Sequence, residues 1–290
     1  MRENNTGEQL SISRRSGSGL SIAGIGTVGG QISQLSLNGK QLIPDFTGTD
    51  QAALVYGYIL APWPNRLADG KYEFNQHSYQ VAKLDEHNNA NHGLLLTEEM
   101  EIQAKHEGSL ELSYSFGQDQ QYPFAVDLVV KYEMTEDSLL VTATATNNSG
   151  QPAPFAIGFH PYFLVGDDFE LNANFTGKIL TDSRMLPTGK ESVSGLSLRP
   201  ESPELASLDD CFFGAEAVTI KRSDFQYEIR ALEGIEYFMF YRPAVQVFET
   251  GQALAIEPMS HPANIFATEI GSTEIEAGGS RQYSFEIKIL

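Results

Sequence analysis

Two residues in the chain stand out as able to move protons. Glu257 closes an apolar strand-like run in Ala255-Ile256-Glu257-Pro258-Met259-Ser260-His261-Pro262. An ionised carboxylate there is costly unless it has partners or a task. His160 lies in a second apolar run, Phe155-Ala156-Ile157-Gly158-Phe159-His160-Pro161-Tyr162-Phe163. Pro161 keeps His160 extended, and imidazole is the side chain best matched to proton transfer near neutral pH. A buried histidine bonded to a carbonyl would serve equally as a core residue.

Two further stretches carry polar residues that do not read as ordinary turns. In Ala61-Pro62-Trp63-Pro64-Asn65-Arg66-Leu67-Ala68-Asp69-Gly70, an Asn-Arg pair sits in a proline-stiffened loop beside the only Trp of the chain. A fixed guanidinium suits sugar hydroxyls or another oxygen-rich ligand, and it suits a structural carboxylate equally well. In Asn88-Asn89-Ala90-Asn91-His92-Gly93, His92 is compatible with a simple turn. His87 and His92 have no metal-ligand spacing. Glu257 and His261 have the i, i+4 spacing of a helical metal pair, but Pro258 and Pro262 make a helix through them untenable. There is no HExxH, CxxC, phosphate-binding loop or GxSxG, so zinc, nucleotide and serine-hydrolase chemistry have no support, and neither a metal nor an organic cofactor is expected.

The elements that must position these residues read as strands. Residues 20–25, 31–37, 110–116, 126–134, 139–146, 169–174, 217–221, 227–232, 237–241, 245–249, 253–256 and 282–289 alternate apolar and polar residues or are rich in β-branched and aromatic ones. Asn38-Gly39 and Asn147-Asn148-Ser149-Gly150 read as turns, 135–138 joins two strands, and Asn75-Gln76-His77-Ser78 joins 72–74 to 79–81 as a hairpin. No stretch of ten residues carries a helical apolar stripe. The expectation is an all-β, large antiparallel β-sandwich: one domain over residues 19–290, preceded by a polar tail over 1–18.

Composition narrows the partners. The chain of 290 residues has a formal net charge of −19 and one cysteine, Cys211. That charge argues against nucleic acid and anionic membrane surfaces, both of which need a positive face. A single cysteine forms no intrachain disulfide and suits a reducing compartment. The N-terminus lacks a basic-then-apolar leader pattern and no apolar run nears the ~20 residues of a membrane span. A cytoplasmic protein is expected.

Taken in order along nearly the whole chain, the motifs resemble the aldose 1-epimerase (galactose mutarotase-like) family. The match runs from Gly29-Gly30-Gln31-Ile32 and Asn38-Gly39-Lys40 through Asn65-Arg66, Asn91-His92-Gly93 and Gly158-Phe159-His160-Pro161-Tyr162-Phe163. It continues through Leu208-Asp209-Asp210-Cys211-Phe212 to Ile256-Glu257-Pro258 and Pro262-Ala263-Asn264. The resemblance implies a supersandwich with an open cleft on one face. It implies Glu257 as general base and His160 as general acid. Arg66, His92, Asn65 and Asp209, with Asp210 a close rival, would hold a free aldohexose while its ring opens and recloses. A hexose-6-phosphate 1-epimerase and a non-catalytic carbohydrate-binding sandwich are the alternatives. Asn91, Leu94 and Leu164 stand where the family more usually has Leu, Gly and Asn, beside the implied sugar site, where they bear on which sugar is taken.

Overall fold

The computed structural model describes residues 7–290 apart from 18, 47–54 and 244–251. Two antiparallel sheets dominate. The first has nine strands in the spatial order Glu101–His106, Ser109–Ser115, Val126–Met134, Ser138–Asn147, Ser280–Ile289, Gln226–Ala231, Ala217–Lys221, Glu170–Ala173 and Leu196–Leu198. The second has eight: Pro187–Ser192, Gly177–Thr181, Asp209–Phe213, Tyr237–Tyr241, Ala253–Met259, Gly158–Phe159 and Ile59–Leu60, with Tyr162–Leu164 also paired to Ala253–Met259. A four-stranded N-terminal sheet of Gln9–Ser16, Gly19–Gly26, Ile32–Leu37 and Lys40–Ile43 completes the main framework. The one α-helix among the described residues is the single turn Ile265–Thr268. The all-β antiparallel sandwich expected from the sequence is the fold observed.

Period-two patterning explains the nine-stranded sheet. Val126–Met134 alternates buried and half-buried residues along its whole length, as an amphipathic strand with one core face must. Its register sets Val130 against Ala143, which in turn lies against Tyr283. A small residue between two larger ones keeps the inner surface filled. Aromatic contacts close the two sheets on each other. The rings of Phe159 and Phe285 are 4.8 Å apart, those of Phe163 and Tyr227 are 6.0 Å apart, and the Tyr227 hydroxyl donates to the Leu164 carbonyl at 3.0 Å.

The structure departs from the sequence reading at several points. Gln9–Ser16 is a strand paired with Gly19–Gly26, not part of a polar tail. Leu10 and Ile12 are buried there, while Ser11, Arg14 and Arg15 are exposed. The 71–80 hairpin turns on two residues, Asn75 and Gln76, both with positive φ. His77 and Ser78 therefore belong to the strand His77–Gln80. Pro187–Ser192 carries no apolar alternation because it is an edge strand exposed on both faces, and Glu101–His106, the edge of the other large sheet, is likewise almost wholly exposed. The expected strand at 245–249 lies outside the described residues.

Phe159 and Phe285, 1% and 0% exposed, fasten the two sheets. Phe285→Ala is expected to cost about 3–5 kcal/mol of unfolding free energy, measured by chemical denaturation. A cost below about 1 kcal/mol would mean that the inter-sheet contact is not a principal tie.

Candidate active site

The eight-stranded sheet is buried on both faces at its centre, and every residue of Ala253–Met259 is buried. Alternation divides the side chains. Phe212, Phe238, Phe240, Leu254 and Ile256 join the main core, while Cys211, Met239 and Met259 form a separate apolar cluster with Ile179. The register continues that second face in two rows. Cys211 pairs with Met239, which pairs with Glu257; Asp209 pairs with Tyr241, which pairs with Ala255. Glu257, Met239, Tyr241 and Asp209 are thus placed side by side by strand pairing alone, and all four line one open cleft of about 200 Å3. Asp210, one residue on, points the other way and pairs with Lys178 at 2.8 Å. Of the two adjacent acids, it is Asp209 that lines the cleft.

His160 reaches the cleft through a break in strand pairing. Gly158–Phe159 and Tyr162–Leu164 both pair with Ala253–Met259. Between them Pro161 has no N–H to donate, and the His160 backbone bonds instead to the chain on its other side. Its N–H donates to the Tyr58 carbonyl at 3.0 Å and its carbonyl accepts from Gly57 at 2.9 Å. The ring lies against Tyr162, with centroids 5.3 Å apart, and His160 Nε2 stands 3.3 Å from Glu257 Oε1.

The other wall is a small two-stranded sheet, Arg66–Ala68 with Asn89–Asn91, in which Arg66 pairs with Asn91. Asn65 and His92, just outside its ends, both adopt left-handed backbone conformations, which cost on the order of 1–2 kcal/mol each for residues with a Cβ. The His92 N–H donates to the Asn65 carbonyl at 2.8 Å. Asn65 Oδ1 accepts from the Arg66 backbone at 2.9 Å and from Arg66 Nη1 at 3.3 Å. Gly93 must be glycine, because a Cβ there would lie 2.1 Å from the Ala61 carbonyl oxygen. The result sets Arg66 Nη2 3.7 Å from Asp209 Oδ2 and packs His92 edge-on to His160 with centroids 5.3 Å apart. All six residues singled out in the sequence, Asn65, Arg66, His92, His160, Asp209 and Glu257, line the same cleft.

Burial sets the electrostatics. It pushes Glu257 well above the ordinary carboxylate range, with Asp209 adding to the rise and Arg66 opposing it. It lowers His160 to about 4, and it lowers His92 well below its usual value, with His160 and Arg66 contributing. Burial also raises Asp209, which Arg66 counteracts. Ordinary reference values would leave Glu257 charged and ask for a modest rise in His160. Desolvation drives each the other way, toward its neutral form. Of the seven buried side-chain polar atoms without a protein partner among the described residues, five belong to this cleft: Arg66 Nε, Asn91 Oδ1, His92 Nδ1, His160 Nδ1 and Glu257 Oε2. Such atoms concentrate where a polar ligand completes the bonding. Among the described residues no three His, Cys, Asp or Glu side chains gather as metal ligands.

Sequence reading missed Tyr241, Met239 and Val55 as lining residues, and placed Asn91 only beside the site. For Tyr241 and Met239 a signal was present: in Tyr-Phe-Met-Phe-Tyr the phenylalanines take the core face, which leaves Tyr237, Met239 and Tyr241 opposite. Nothing in the pattern said that this second face was a site.

Comparison with known proteins agrees with the fold and motifs. The family model described as aldose 1-epimerase matches residues 11–288. An uncharacterised protein of Escherichia coli K12, YihR, is 28% identical over 280 residues, covering 91% of this chain and 89% of its own. The crystal structure of a GalM/aldose epimerase homologue from C. elegans superposes with a TM-score of 0.82 at 17% identity, over 98% of this chain and 99% of that one. That of galactose 1-epimerase from Lactobacillus acidophilus NCFM gives 0.76 at 14% identity, over 98% of each chain. At those identities the structural matches speak for the fold.

The raised Glu257 has a consequence for stability. A carboxyl whose folded value lies above its unfolded one stabilises at low pH, and that contribution is lost as pH rises through the folded value. Glu257→Gln does not titrate. Its melting temperature relative to the parent protein is expected to climb as pH rises above the ordinary carboxylate range, followed by differential scanning calorimetry. A difference that stays flat with pH would show that Glu257 is not held neutral by burial.

Proposed function

The chain belongs to the aldose 1-epimerase family, and we propose that it interconverts the α and β anomers of a free aldohexose by opening and reclosing the pyranose ring. The carrying observation is the carboxyl–imidazole pair at 3.3 Å in a cleft whose other polar groups are a guanidinium, a carboxylate, a phenol, carboxamides and a second imidazole. Glu257 takes the proton of the C1 hydroxyl while His160 delivers one to the ring oxygen, and the C1–O5 bond breaks. Rotation about C1–C2 turns the aldehyde. Closure runs the same transfers backward onto the opposite face of the carbonyl: Glu257 returns its proton to the C1 oxygen, His160 regains one from the O5 hydroxyl, and nothing is consumed. Arg66, Asn65, His92 and Asp209 hold the remaining hydroxyls.

The burial shifts favour this reaction. Burial makes carboxylic acid and neutral imidazole the resting form of the singly protonated pair; opening proceeds from its tautomer, carboxylate and imidazolium, and returns the pair to the neutral form. Desolvation makes His160 the stronger acid and Glu257 the stronger base, which is the direction of transfer that opening requires. One general acid or base typically contributes about 10²–10⁴ in rate, enough for a reaction that already proceeds in water.

A hexose 6-phosphate substrate would call for cations beyond the hydroxyl-binding groups. Arg66 is the one cationic side chain lining the cleft among the described residues, and it already faces Asp209. Residues 47–54 and 244–251 contain no Lys or Arg. A non-catalytic sugar-binding role leaves the close acid–base pair without purpose. The cytoplasm suits a chain whose lone Cys211 is a free, buried thiol.

Two-dimensional exchange NMR on glucose and galactose tests the proposal. Glu257→Gln and His160→Asn are each expected to lower the exchange rate by about 10²-fold or more, with the sugar still bound. An unaltered rate in Glu257→Gln, or no rate above buffer for any aldose, would refute it.

The pH profile adds a second test. Activity requires one proton on the pair. It falls at low pH as a second proton adds, near the His160 value of about 4, and at high pH as the last proton leaves Glu257, above the ordinary carboxylate range. Asp209→Asn removes a charge that raises Glu257 and is expected to move the upper limb to lower pH; an upper limb that stays in place would exclude Asp209 from the electrostatics of the pair.

A further inference from the structure

One arginine joins the two sides of the cleft from outside it. The strand Gly177–Thr181 pairs with Asp209–Phe213 at Gly177 and Lys178 and runs on with Pro187–Ser192 as a two-stranded arm. The arm ends in a tight turn. Asp182 Oδ1 accepts from the Arg184 and Leu186 N–H groups at 2.8 and 3.0 Å, and Met185 takes a positive φ. That turn delivers Arg184 to the far wall, the small sheet of Arg66–Ala68 and Asn89–Asn91.

There the guanidinium meets four acceptors. Its Nε donates to the His87 carbonyl at 3.1 Å. Its Nη2 lies 2.8 Å from Asp69 Oδ1, 3.1 Å from Asn89 Oδ1 and 3.2 Å from the Asn88 carbonyl. Asn89 is wholly buried, and its Nδ2 donates back to the Arg184 carbonyl at 3.0 Å. We propose that Arg184 is a positioning residue. It clasps the wall that carries Arg66, Asn91 and His92 to the sheet that carries Asp209, His160 and Glu257, and so sets how far apart the two stand. Its effect on turnover rests on the anomer-exchange reading.

The register gives the clasp its leverage. Asp69 follows one short strand and Asn89 begins the other. Ala68 lies against Asn89, and Arg66 against Asn91. Arg184 therefore grips one end of the small sheet while the other end lines the cleft. Two residues of strand rise, roughly 7 Å, separate the ends, so a displacement at the clasp reaches Arg66 and Asn91 with little loss. Across the cleft itself, Arg66 Nη2 and Asp209 Oδ2 stand 3.7 Å apart, too far for a hydrogen bond to fix the gap. A planar fork suits acceptors spread in this way, and a lysine ammonium does not. The fold itself does not need the clasp. The Asn264 N–H donates to the Arg66 carbonyl and its Oδ1 accepts from the Ala68 N–H, which holds the small sheet from another side, and Arg184 is only half-buried.

Arg184→Ala and Arg184→Lys, as full chains, are to be compared with the parent protein by amide hydrogen exchange and by anomer-exchange NMR on glucose and galactose. Arg184→Ala is expected to exchange faster in residues 66–69 and 87–92 while Ala253–Met259 keeps its protection. Its KM is expected to rise about tenfold with kcat and both pH limbs little changed, because the wall binds less well and the proton pair is untouched. Millimolar guanidinium is expected to lower that KM and to leave the parent protein unaffected. Arg184→Lys is expected to stay close to Arg184→Ala. Unchanged amide exchange in residues 66–69 and 87–92 would overturn the clasp, whether or not any aldose is turned over. Faster amide exchange with an unchanged KM, or a fall in melting temperature and kcat alone, would overturn the positioning role while anomer exchange stood. Should the parent protein turn over no aldose, anomer exchange fails on its own account, and amide exchange alone decides the clasp.

Discussion

The site depends on one costly placement: a carboxyl group at the centre of a sheet that is buried on both faces. Glu257 is 2% exposed, and its one close polar neighbour among the described residues is another buried group, the His160 ring. An isolated carboxylate there would be prohibitively desolvated. The pair relieves this because a carboxyl and an imidazole sharing one proton can sit together as two neutral groups. Arg66 would pull that equilibrium toward charge, but Asp209 stands beside Arg66 and pushes the other way. With the outer charges opposed, burial decides, and it moves the acid and the base in opposite directions.

That placement is cheap in fold terms, which is why a sandwich can carry it. The core face of Tyr237–Tyr241 and Ala253–Met259 is filled by Phe238, Phe240, Leu254 and Ile256, and those residues hold the sheet irrespective of what stands opposite. The other face is then free to present Asp209, Tyr241, Met239 and Glu257 in register. Rigid antiparallel strands fix the separation of side chains more tightly than loops do. Only His160 arrives by interruption. Pro161 ends one pairing, and the Gly57 and Tyr58 backbone groups take up the bonds so released.

Much of this was legible in the sequence because the same physics writes it there. Glu257 in an apolar run and His160 before a proline among aromatics violate the local pattern, and such violations gather where function overrides stability. Strands with one wet face, such as Val126–Met134, were legible from alternation. Strands that escaped notice lacked it for physical reasons. Pro187–Ser192 has almost nothing to bury, and Gln9–Ser16 buries only alternate residues amid serine and arginine. The choice between Asp209 and Asp210 was not legible either, since adjacent residues of a strand differ only in face, and the face depends on a register with Tyr237–Tyr241 that the sequence does not print.

The wall opposite the sheet shows a different economy. Asn65 and His92 both hold left-handed conformations, and Gly93 is wedged against Ala61. Such strain persists only where the surroundings over-determine it. Here they do so twice: Arg66–Ala68 pairs with Asn89–Asn91, and Asn264 binds that small sheet from beneath through its side chain on the Ala68 N–H. The strained residues border the Glu257–His160 cleft on one side and, through Asn91 and His92, the neighbouring cavity on the other. In the proposed reaction, chemistry and selection would therefore fall to different elements. The sheet fixes the proton pair and leaves little room for change, while the wall can alter what it admits at Asn91 or Leu94 without disturbing the 3.3 Å contact between His160 and Glu257.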